Sequence, residues 1–465
     1  MSPRDAIKLV LAIALALAAL GQAVAEDSET ATESPAFMAF NLTGAHELSY
    51  AMPAGGYSWD SGYDGEMKYP QLINDLGLDA TIGQIGVVSK WEIQSLEQHG
   101  EAINNLRYVE NYIAWNPEKF RFSFGYQVFS WGVADGRNPT DNINPEDYTT
   151  LEGDKVHKIP VLAIGASWYP GEEWSLDSVY IPLPLDSLFP EDYIRSLRNE
   201  GINASLDEVE DKPENFVAGG KLNYRSPAMD FSVSYLYDFD RMYTPSVTDD
   251  FGVSLERKRV HRIGADMKTT LGRYGLWAEA CYSLTGNSDP SSYAERLSSL
   301  DYTLGFDFSY GPGDDYYLNL QYTGTVYPGY DSSADTFSQS DPRYLEKELL
   351  YQLAGVDGGL TQGLTWNARW SFADGAIVPS FTGSYSLPFY YDSSSVKYYG
   401  SMLLKPQIDF MPIDSFHIVV GAILAYSWVS QGGQGVTLDT SDLVGVYTPE
   451  NNVFLSVTYM WSYDK

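Results

Sequence analysis

Apolar and polar residues alternate with a period of two along much of the chain. In LDYTLGFDFSY, residues 300–310, leucine and aromatic residues occupy the even positions, and Asp301, Thr303 and Asp307 are among the odd ones. Successive side chains of a β-strand point to opposite faces, so this pattern predicts strands with one apolar, aromatic face and one polar face. The same division recurs in the stretches 261–271, 315–326, 364–372 and 416–428.

Short and long connections alternate between the predicted strands. The short ones consist of hairpin-turn residues and lie at 116–118, 171–173, 225–228, 271–274, 311–314, 373–375 and 412–414. The long ones are polar and lie at 131–158, 182–213, 239–257, 285–299, 327–360, 388–395 and 429–450. This rhythm predicts an all-β fold, a transmembrane antiparallel up-and-down β-barrel with short periplasmic turns and long extracellular loops.

The pattern predicts about 16–18 strands, with 18 favoured. About fifteen follow residue 103, one is predicted at 84–97, and a further pair at 37–52 and 70–82. Short helices are predicted inside two of the long loops, at 190–201 and at 341–354, because each begins with proline and acidic residues and ends before or at glycine. Such helices would fold the loops into a lid.

A soluble antiparallel sheet also alternates, so the choice of a membrane barrel depends on other features. Open sheets rarely exceed about ten strands, and closure removes the unpaired edges that hydrocarbon does not tolerate. The apolar rows are rich in tyrosine, with 36 in the chain, and tryptophan. Aromatic girdles at the two membrane interfaces use these residues in this way.

The N-terminus has the pattern of a secretory signal peptide. Arg4 and Lys8 precede an apolar run, 9–20, and Ala23-Val24-Ala25 forms an A-x-A cleavage site. We therefore expect a signal peptide at 1–25, an N-terminal extension at 26–36 and a single barrel domain at 37–465, located in the bacterial outer membrane. Cys281 is the only cysteine, which excludes an intrachain disulfide framework.

The formal net charge is −33, and no basic cluster is present. Nucleic acid is therefore not an expected partner, because phosphate binding needs clustered lysine and arginine. After the N-terminal run, no segment has 18 consecutive apolar residues, so a helical membrane protein is not expected.

The segment WGVADGRNPTDNINPEDY, residues 131–148, follows a predicted strand and opens the first very long loop. Its spacing resembles a pattern, W-G-x-x-D-x-x-N-P-T-D-x-x-N-P-x-D-Y, of a group of poorly characterised bacterial outer-membrane barrels. The resemblance implies a porin-like barrel and no particular substrate.

Three interpretations of this segment remain open at the level of sequence. The Asn-Pro pairs form rigid turns, so the loop could simply brace itself, with Arg137 closing a salt bridge. Alternatively the loop folds into the barrel and narrows a pore. The third interpretation is a calcium site, since Asp135, Asp141 and Asp147 recur at intervals of six and carboxylates suit calcium.

The polar rows of the strands would line the interior of a barrel, and rings of charge there would set ion preference. The candidate residues for the pore lining or its constriction are Asp135, Arg137, Asp141, Asp147, Arg121, Lys221, Arg262, Asp266, Lys268, Glu279, Asp301, Asp307, Arg369, Lys405 and Asp409. Most of the acidic excess lies in the loops, where it would attract cations or would merely keep the surface soluble.

The sequence favours a porin-like channel that passes small solutes and prefers cations. The alternative is a plugged barrel that binds glycans or adhesion partners through the loops 182–213 and 327–360. An enzyme is not expected, since none of the five histidines has a recognisable catalytic arrangement, and neither a cofactor nor a metal is predicted.

The expected partners are outer-membrane lipid, small solutes or ions, and the barrel-assembly machinery, and an oligomer is possible. The last predicted strand, NVFLSVTYMWSYDK, carries the apolar-aromatic row that such machinery is thought to bind, although Asp464 and Lys465 follow the usual aromatic position.

Overall fold

The structure is a computed structural model. It describes residues 38–53, 57–58, 62–63, 68–98, 101–149, 157–189, 204–207, 209–210, 212–241, 243–247, 253–287, 296–330, 341, 343–344, 346, 359–387, 397–431, 436–438 and 451–464. The expected signal peptide lies outside the described residues.

Eighteen antiparallel strands form a closed barrel, which confirms the predicted fold class and the favoured strand count. In chain order, β1 to β18 are Met38–Pro53, Lys68–Ile82, Ile85–Gln98, Glu101–Trp115, Phe120–Gln127, Val161–Trp168, Trp174–Ile181, Val217–Arg225, Met229–Phe239, Arg259–Leu271, Tyr274–Leu284, Ser299–Tyr310, Tyr316–Val326, Leu360–Trp370, Ile377–Leu387, Lys397–Ile413, Phe416–Gln431 and Asn452–Asp464.

Each strand pairs with its neighbours in the chain, and the ring is completed by the pairing of β1 with β18, from Asn41 opposite Asp464 to Pro53 opposite Asn452. Closure leaves no free sheet edge, so the backbone groups of the barrel are satisfied within the ring.

Short pieces of regular structure lie between the barrel strands. They are a hairpin of Tyr57–Ser58 and Gly62–Tyr63, a pair of Glu146–Asp147 and His157–Lys158, a small sheet of Ala204–Asp207, Thr244–Val247 and Val253–Glu256, the strand Val436–Leu438 beside β17, and the 3-10 turn Pro213–Asn215. No helix among the described residues is long and apolar enough to span a bilayer.

The connections follow the predicted rhythm with one difference. All the predicted short turns lie at one end of the barrel and the predicted long loops at the other. The difference is at β3 and β4, which are separated at the loop end by only two residues, 99 and 100.

The predicted helix at 190–201 lies outside the described residues. Of the second predicted helix, Arg343, Tyr344 and Glu346 are helical, and the side chain of Asp341 accepts a hydrogen bond from the backbone N–H of Arg343 at 3.0 Å. Aspartate at this position caps the start of a helix, as the sequence predicted.

The two faces of each strand differ as the alternation predicted. On β12, Leu304 is 53% exposed and its neighbour Thr303 is 0% exposed, so the apolar residue faces outward and the hydroxyl inward. Exposed aromatic residues ring the short-turn end of the barrel: Trp115, Phe120, Trp168, Trp174, Tyr274, Tyr310, Phe372 and Tyr463. An apolar outer surface with an aromatic girdle is the surface that a bilayer requires of a transmembrane barrel.

Candidate functional site

The segment that follows β5 enters the barrel. We call residues 128–145 the inner loop. Its residues contact inward-facing side chains of β8, β11, β12 and β13. Since β13 is eight strands from β5 in a ring of eighteen, the inner loop crosses almost the full width of the lumen.

Glu279 of β11 holds both arms of the inner loop. The backbone N–H groups of Val133 and Ala134 donate to one carboxylate oxygen, the latter at 2.6 Å. The N–H and the hydroxyl of Thr140 donate to the other oxygen, at 3.3 and 3.0 Å. Glu279 is 2% exposed, so this carboxylate is satisfied by the loop rather than by solvent.

Beyond Glu279, the tip of the inner loop reaches the next two strands. Arg137 donates to Asp301 of β12 at 3.1 Å and to Thr325 of β13 at 3.0 Å, and the hydroxyl of Thr303 donates to the carbonyl of Arg137 at 2.9 Å. Arg137 therefore pairs with the barrel wall and not with the aspartates of its own loop. This corrects the self-braced interpretation, in which Arg137 closed the loop on itself.

The tip lies close against β13 and β14. Asn319 donates to Asp135 at 2.6 Å. Gly136 has no room for a side chain, because a Cβ there would lie 2.5 Å from Gln321 Nε2 and 2.7 Å from Thr365 Oγ1. Glycine at this position therefore permits the close approach of the loop backbone to the wall.

The middle aspartate of the motif does brace the loop internally. Asp141 forms an ion pair with Lys158 at 2.5 Å and accepts a hydrogen bond from the N–H of Trp131 at 3.2 Å. The loop is thus self-braced at Asp141 and attached to the wall at Asp135 and Arg137. The two interpretations describe different parts of the same segment.

Asn144 fixes the base of the inner loop. Its side-chain oxygen accepts from the N–H of Phe129 at 2.7 Å, and its amide donates to the carbonyls of Gln127 and Ile159 at 2.9 Å each. A buried amide that satisfies three backbone groups fixes where the outgoing and returning arms meet. Asn144 belongs to the second Asn-Pro pair of the motif.

The third aspartate, Asp147, lies beyond the inner loop and faces the opposite wall, where its carboxylate is 3.6 Å from Arg107 of β4. Asp135, Asp141 and Asp147 therefore have three separate partners. No group of His, Cys, Asp or Glu within the described residues is arranged to hold a metal ion. The calcium interpretation of the six-residue spacing is not supported.

The space between the inner loop and β6–β9 is filled. Trp131 and Ile143 of the loop pack with inward apolar residues of these strands in one buried cluster, which also contains Val161, Ala163, Val179, Ile181, Val217, Leu236 and Phe239. Below it, Lys221 donates to the carbonyl of Trp131 and forms an ion pair with Asp266 at 3.0 Å.

Buried charges connect the external loops to the same wall. Arg262 lies 3.6 Å from Asp240, and Arg296 lies 2.8 Å from Asp240. Burial lowers the pKa of Arg241 despite the nearby Asp238. Burial also disfavours the charge of Arg296, but Asp240 and Tyr327 outweigh it and raise its pKa above the ordinary value. Arg262 and Asp266 thus lie in the filled part of the interior.

The filled part ends between β13 and β14. Asn319 and Asn367 are direct cross-strand partners on the inward face, yet Asn319 is buried under Asp135 and Asn367 is exposed. Arg369, the inward neighbour of Asn367, is also exposed and stacks over Tyr317 at 4.7 Å.

Two adjoining cavities lie against β1–β7, the second of them next to the first residues of the inner loop. One of 520 Å³ includes Asp79, Tyr112 and Arg121 in its lining, and one of 260 Å³ includes Glu110, Tyr112, Arg121 and the start of the inner loop. They share Tyr112 and Arg121, whose guanidinium donates to the Tyr112 hydroxyl at 3.4 Å. Both cavities therefore include charged side chains in their lining.

The remaining candidate residues lie as follows. Asp301 is beneath Arg137, and Lys268 lies over the ring of Trp277 at 5.7 Å near the short-turn end. Asp307 faces inward beside Gly275. A carboxylate oxygen of Asp409 lies 2.9 Å from Nδ1 of His417. Lys405 lies near the ring of Phe454, at 5.9 Å.

The sequence did not identify the charged residues of β2–β4 and β7 on the inward face. These residues are Asp75, Asp79, Lys90, Glu92, Arg107, Glu110 and Asp177. Alternation in β4 is interrupted, because Lys90 pairs with Glu110 and Trp91 with Tyr108, so the extra residue 109 places both Arg107 and Glu110 on the inward face. The polar residues themselves were the available signal, since charges are rare on a lipid-facing surface.

No protein-family model matches the sequence, and no curated protein matches it significantly. Solved structures do resemble the fold. Pseudomonas aeruginosa OccK3 (OpdO) is 9% identical, with a TM-score of 0.50 over 91% of this chain and 96% of the other. P. aeruginosa OpdK with vanillate is 8% identical, with a TM-score of 0.49 over 92% and 99%. Acinetobacter baumannii OccAB2 is 9% identical, with a TM-score of 0.49 over 92% and 98%. The likeness to OccK3 shows a shared barrel fold.

Proposed function

We propose that this chain is a porin-like channel of the bacterial outer membrane and that small solutes pass through the part of the lumen beside the inner loop. One observation carries the proposal: the inner loop crosses the barrel and fills the space against β6–β9, yet exposed polar residues on β14 and two adjoining cavities against β1–β7 remain. An 18-stranded barrel is wide enough to keep such an aqueous passage.

The outer surface supports the proposed location. Its exposed residues are apolar along the strands and aromatic at the short-turn end. The C-terminal strand β18 carries Leu455, Tyr459 and Tyr463 on this surface, which is compatible with the expected contact with the barrel-assembly machinery.

The charge of the two cavities supports a preference for cations. Among the described residues that line them, the carboxylates are Asp79, Glu110, Asp177 and Asp464, and the one basic side chain is Arg121. A passage whose charged side chains are mainly carboxylates attracts cations and repels anions, and its low-dielectric walls strengthen the effect. Glu110 is paired with Lys90 at 2.8 Å, so the other three carboxylates carry most of this charge. The lumen itself, in addition to the acidic loops, would then select for charge.

The test is a planar bilayer containing the purified full chain under a KCl gradient. We expect stepwise conductance and a reversal potential of cation sign. The double variant D79N/D177N should lower the cation-to-anion permeability ratio on the order of twofold, because half of the cavity carboxylates become neutral. Glu172→Gln, in the exposed short turn between β6 and β7, is the control for loss of charge outside the lumen.

A reversal potential of anion sign would contradict the cation preference. Folded protein without conductance would contradict the channel and favour the alternative, a plugged barrel that binds partners through its external loops. The loops 182–213 and 327–360 lie largely outside the described residues, so a role in binding remains a prediction.

A further inference from the structure

The inner loop is attached to the far wall at three places of very different strength. Arg137 pairs with Asp301, but its side chain is 50% exposed, and solvent weakens such a pair. Asp135, which accepts from Asn319, is also exposed. Of these three, only the attachment at Glu279 is both buried and charged, which is the condition under which hydrogen bonds are strongest. The buried charge of Lys221 also reaches the loop, but on β8 and at Trp131, before the tip.

Glu279 also occupies the position from which one residue can control the whole loop tip. It binds Val133 and Ala134 on the outgoing arm and Thr140 on the returning arm. The tip, residues 135–139, lies beyond this point. Releasing Glu279 would therefore free both arms together, whereas releasing Asp135 or Arg137 would free only a part of the tip.

The chemistry of the contact requires an ionised carboxylate. All four groups that reach Glu279 are donors, and a carboxylate accepts at both oxygens without donating. A glutamine in place of Glu279 would turn its NH₂ group toward the donors of one arm of the loop, so that donors would face each other. Asp266 is the direct cross-strand partner of Glu279, and Lys221 pairs with Asp266, so the negative charge there is partly compensated.

We infer that Glu279 is the positioning residue that holds the inner loop across the lumen and so sets the width of the passage. This inference deepens the proposed function and rests on it for its consequence for conductance. Whether Glu279 holds the inner loop in place does not depend on conductance, and it is measured separately.

Cys281 supplies that measurement without any engineered label. It is the only cysteine of the 465-residue chain and lies two residues along β11 from Glu279, on the same inward face. Its thiol is buried, and Asn142 of the inner loop donates to Sγ at 3.4 Å. While the loop is in place, a charged water-soluble methanethiosulfonate reagent does not reach this sulfur.

The experiment compares the full-length wild type with Glu279→Gln in lipid bilayers and vesicles. We expect E279Q to raise the single-channel conductance by roughly twofold as the passage widens. We also expect the labelling rate of Cys281 to rise by about tenfold or more, the size expected when hydrogen bonds to a buried charge are lost. Glu279→Asp keeps the charge and should restore part of the protection.

Glu172→Gln is the matched control, since it makes the same change of side chain and charge in an exposed short turn, away from the inner loop. Heat-modifiable gel mobility identifies variants with an intact barrel. If E279Q does not fold, Thr140→Val removes a donor on the loop side and should raise labelling in the same direction to a smaller extent.

Conductance and labelling of E279Q equal to those of Glu172→Gln would overturn the inference while leaving the channel proposal intact. If the wild type does not conduct, the channel proposal fails, but unchanged or increased labelling of E279Q still decides whether Glu279 holds the loop.

Discussion

At the scale of single residues, tryptophan opposite glycine is a recurrent pair in this barrel. Among the described residues, four cross-strand pairs are of this kind: Gly44 with Trp461, Trp277 with Gly305, Trp366 with Gly383, and Gly400 with Trp428. In each pair a Cβ at the glycine would overlap the indole ring. The ring lies flat over the neighbouring strand and covers the surface that the glycine leaves bare.

Substitution of one of these glycines should destabilise the barrel measurably. Trp277 is buried and donates to Gln321 at 3.2 Å, so its ring has little freedom to move away. We expect Gly305→Ala to lower the free energy of unfolding by about 1–3 kcal/mol, as overpacking does in other interiors. Urea unfolding in lipid vesicles measures the change.

Gly171→Ala is the control for this prediction, because a Cβ at Gly171 meets nothing within 4 Å. Equal stability of the two variants would mean that the indole at Gly305 is free to shift.

At the scale of elements, the same residue type has different surroundings in a strand and in a loop. Leu304 on β12 and Leu188 in the external segment after β7 are exposed to similar extents, at 53% and 49%. In water, a substitution at either position would have a similar effect on stability. In a bilayer, Leu304 contacts hydrocarbon near the middle of its strand, and Leu188 contacts solvent.

This difference gives a matched pair of variants. Leu304→Arg should destabilise the folded barrel by about 2–4 kcal/mol, the cost of a cation at the lipid-facing midplane of a barrel. Leu188→Arg should change stability by less than about 0.5 kcal/mol, as surface substitutions usually do. Unfolding in vesicles of defined thickness measures both, and equal effects would contradict the assignment of the outer face.

At the scale of the whole molecule, closure by β1 and β18 joins elements from the two ends of the described chain. Every barrel strand then has two hydrogen-bonded neighbours, so partial unfolding exposes backbone groups on both sides of the missing strand. Stability is consequently cooperative around the ring, and it resists detergents that unfold open sheets.

The expected outcome is heat-modifiable mobility on a dodecyl sulfate gel. Unheated protein should migrate as a compact species, faster than boiled protein, because the closed ladder survives the detergent until it is heated. Identical mobility before and after boiling would contradict a closed barrel.

The alternating rows and turn residues of the chain predicted the barrel to within a few residues for most strands. They did so because the direction of a side chain in a strand depends only on its neighbours in the sequence. Where β4 carries one extra residue between Tyr108 and Glu110, its period is broken, and its inward charges Arg107 and Glu110 escaped prediction.

The motif at 131–148 shows where sequence reasoning ends. Its Asn-Pro turns and aspartates predicted an ordered loop, and Asn144 and Asp141 do order it locally. Its destination across the lumen was one of three open interpretations. The contacts that decide it join Ala134 to Glu279 and Arg137 to Asp301, which are separated by 145 and 164 residues.

By itself, then, the sequence determined a sheet of two-faced strands, its turns and the sign of its charge, since each of these is set by local pattern or by composition. The tertiary structure alone decided which side of the lumen is filled and which carboxylate holds the inner loop. Those outcomes depend on which strands the inner loop meets in the closed barrel, and local sequence carries no information about partners so distant in the chain.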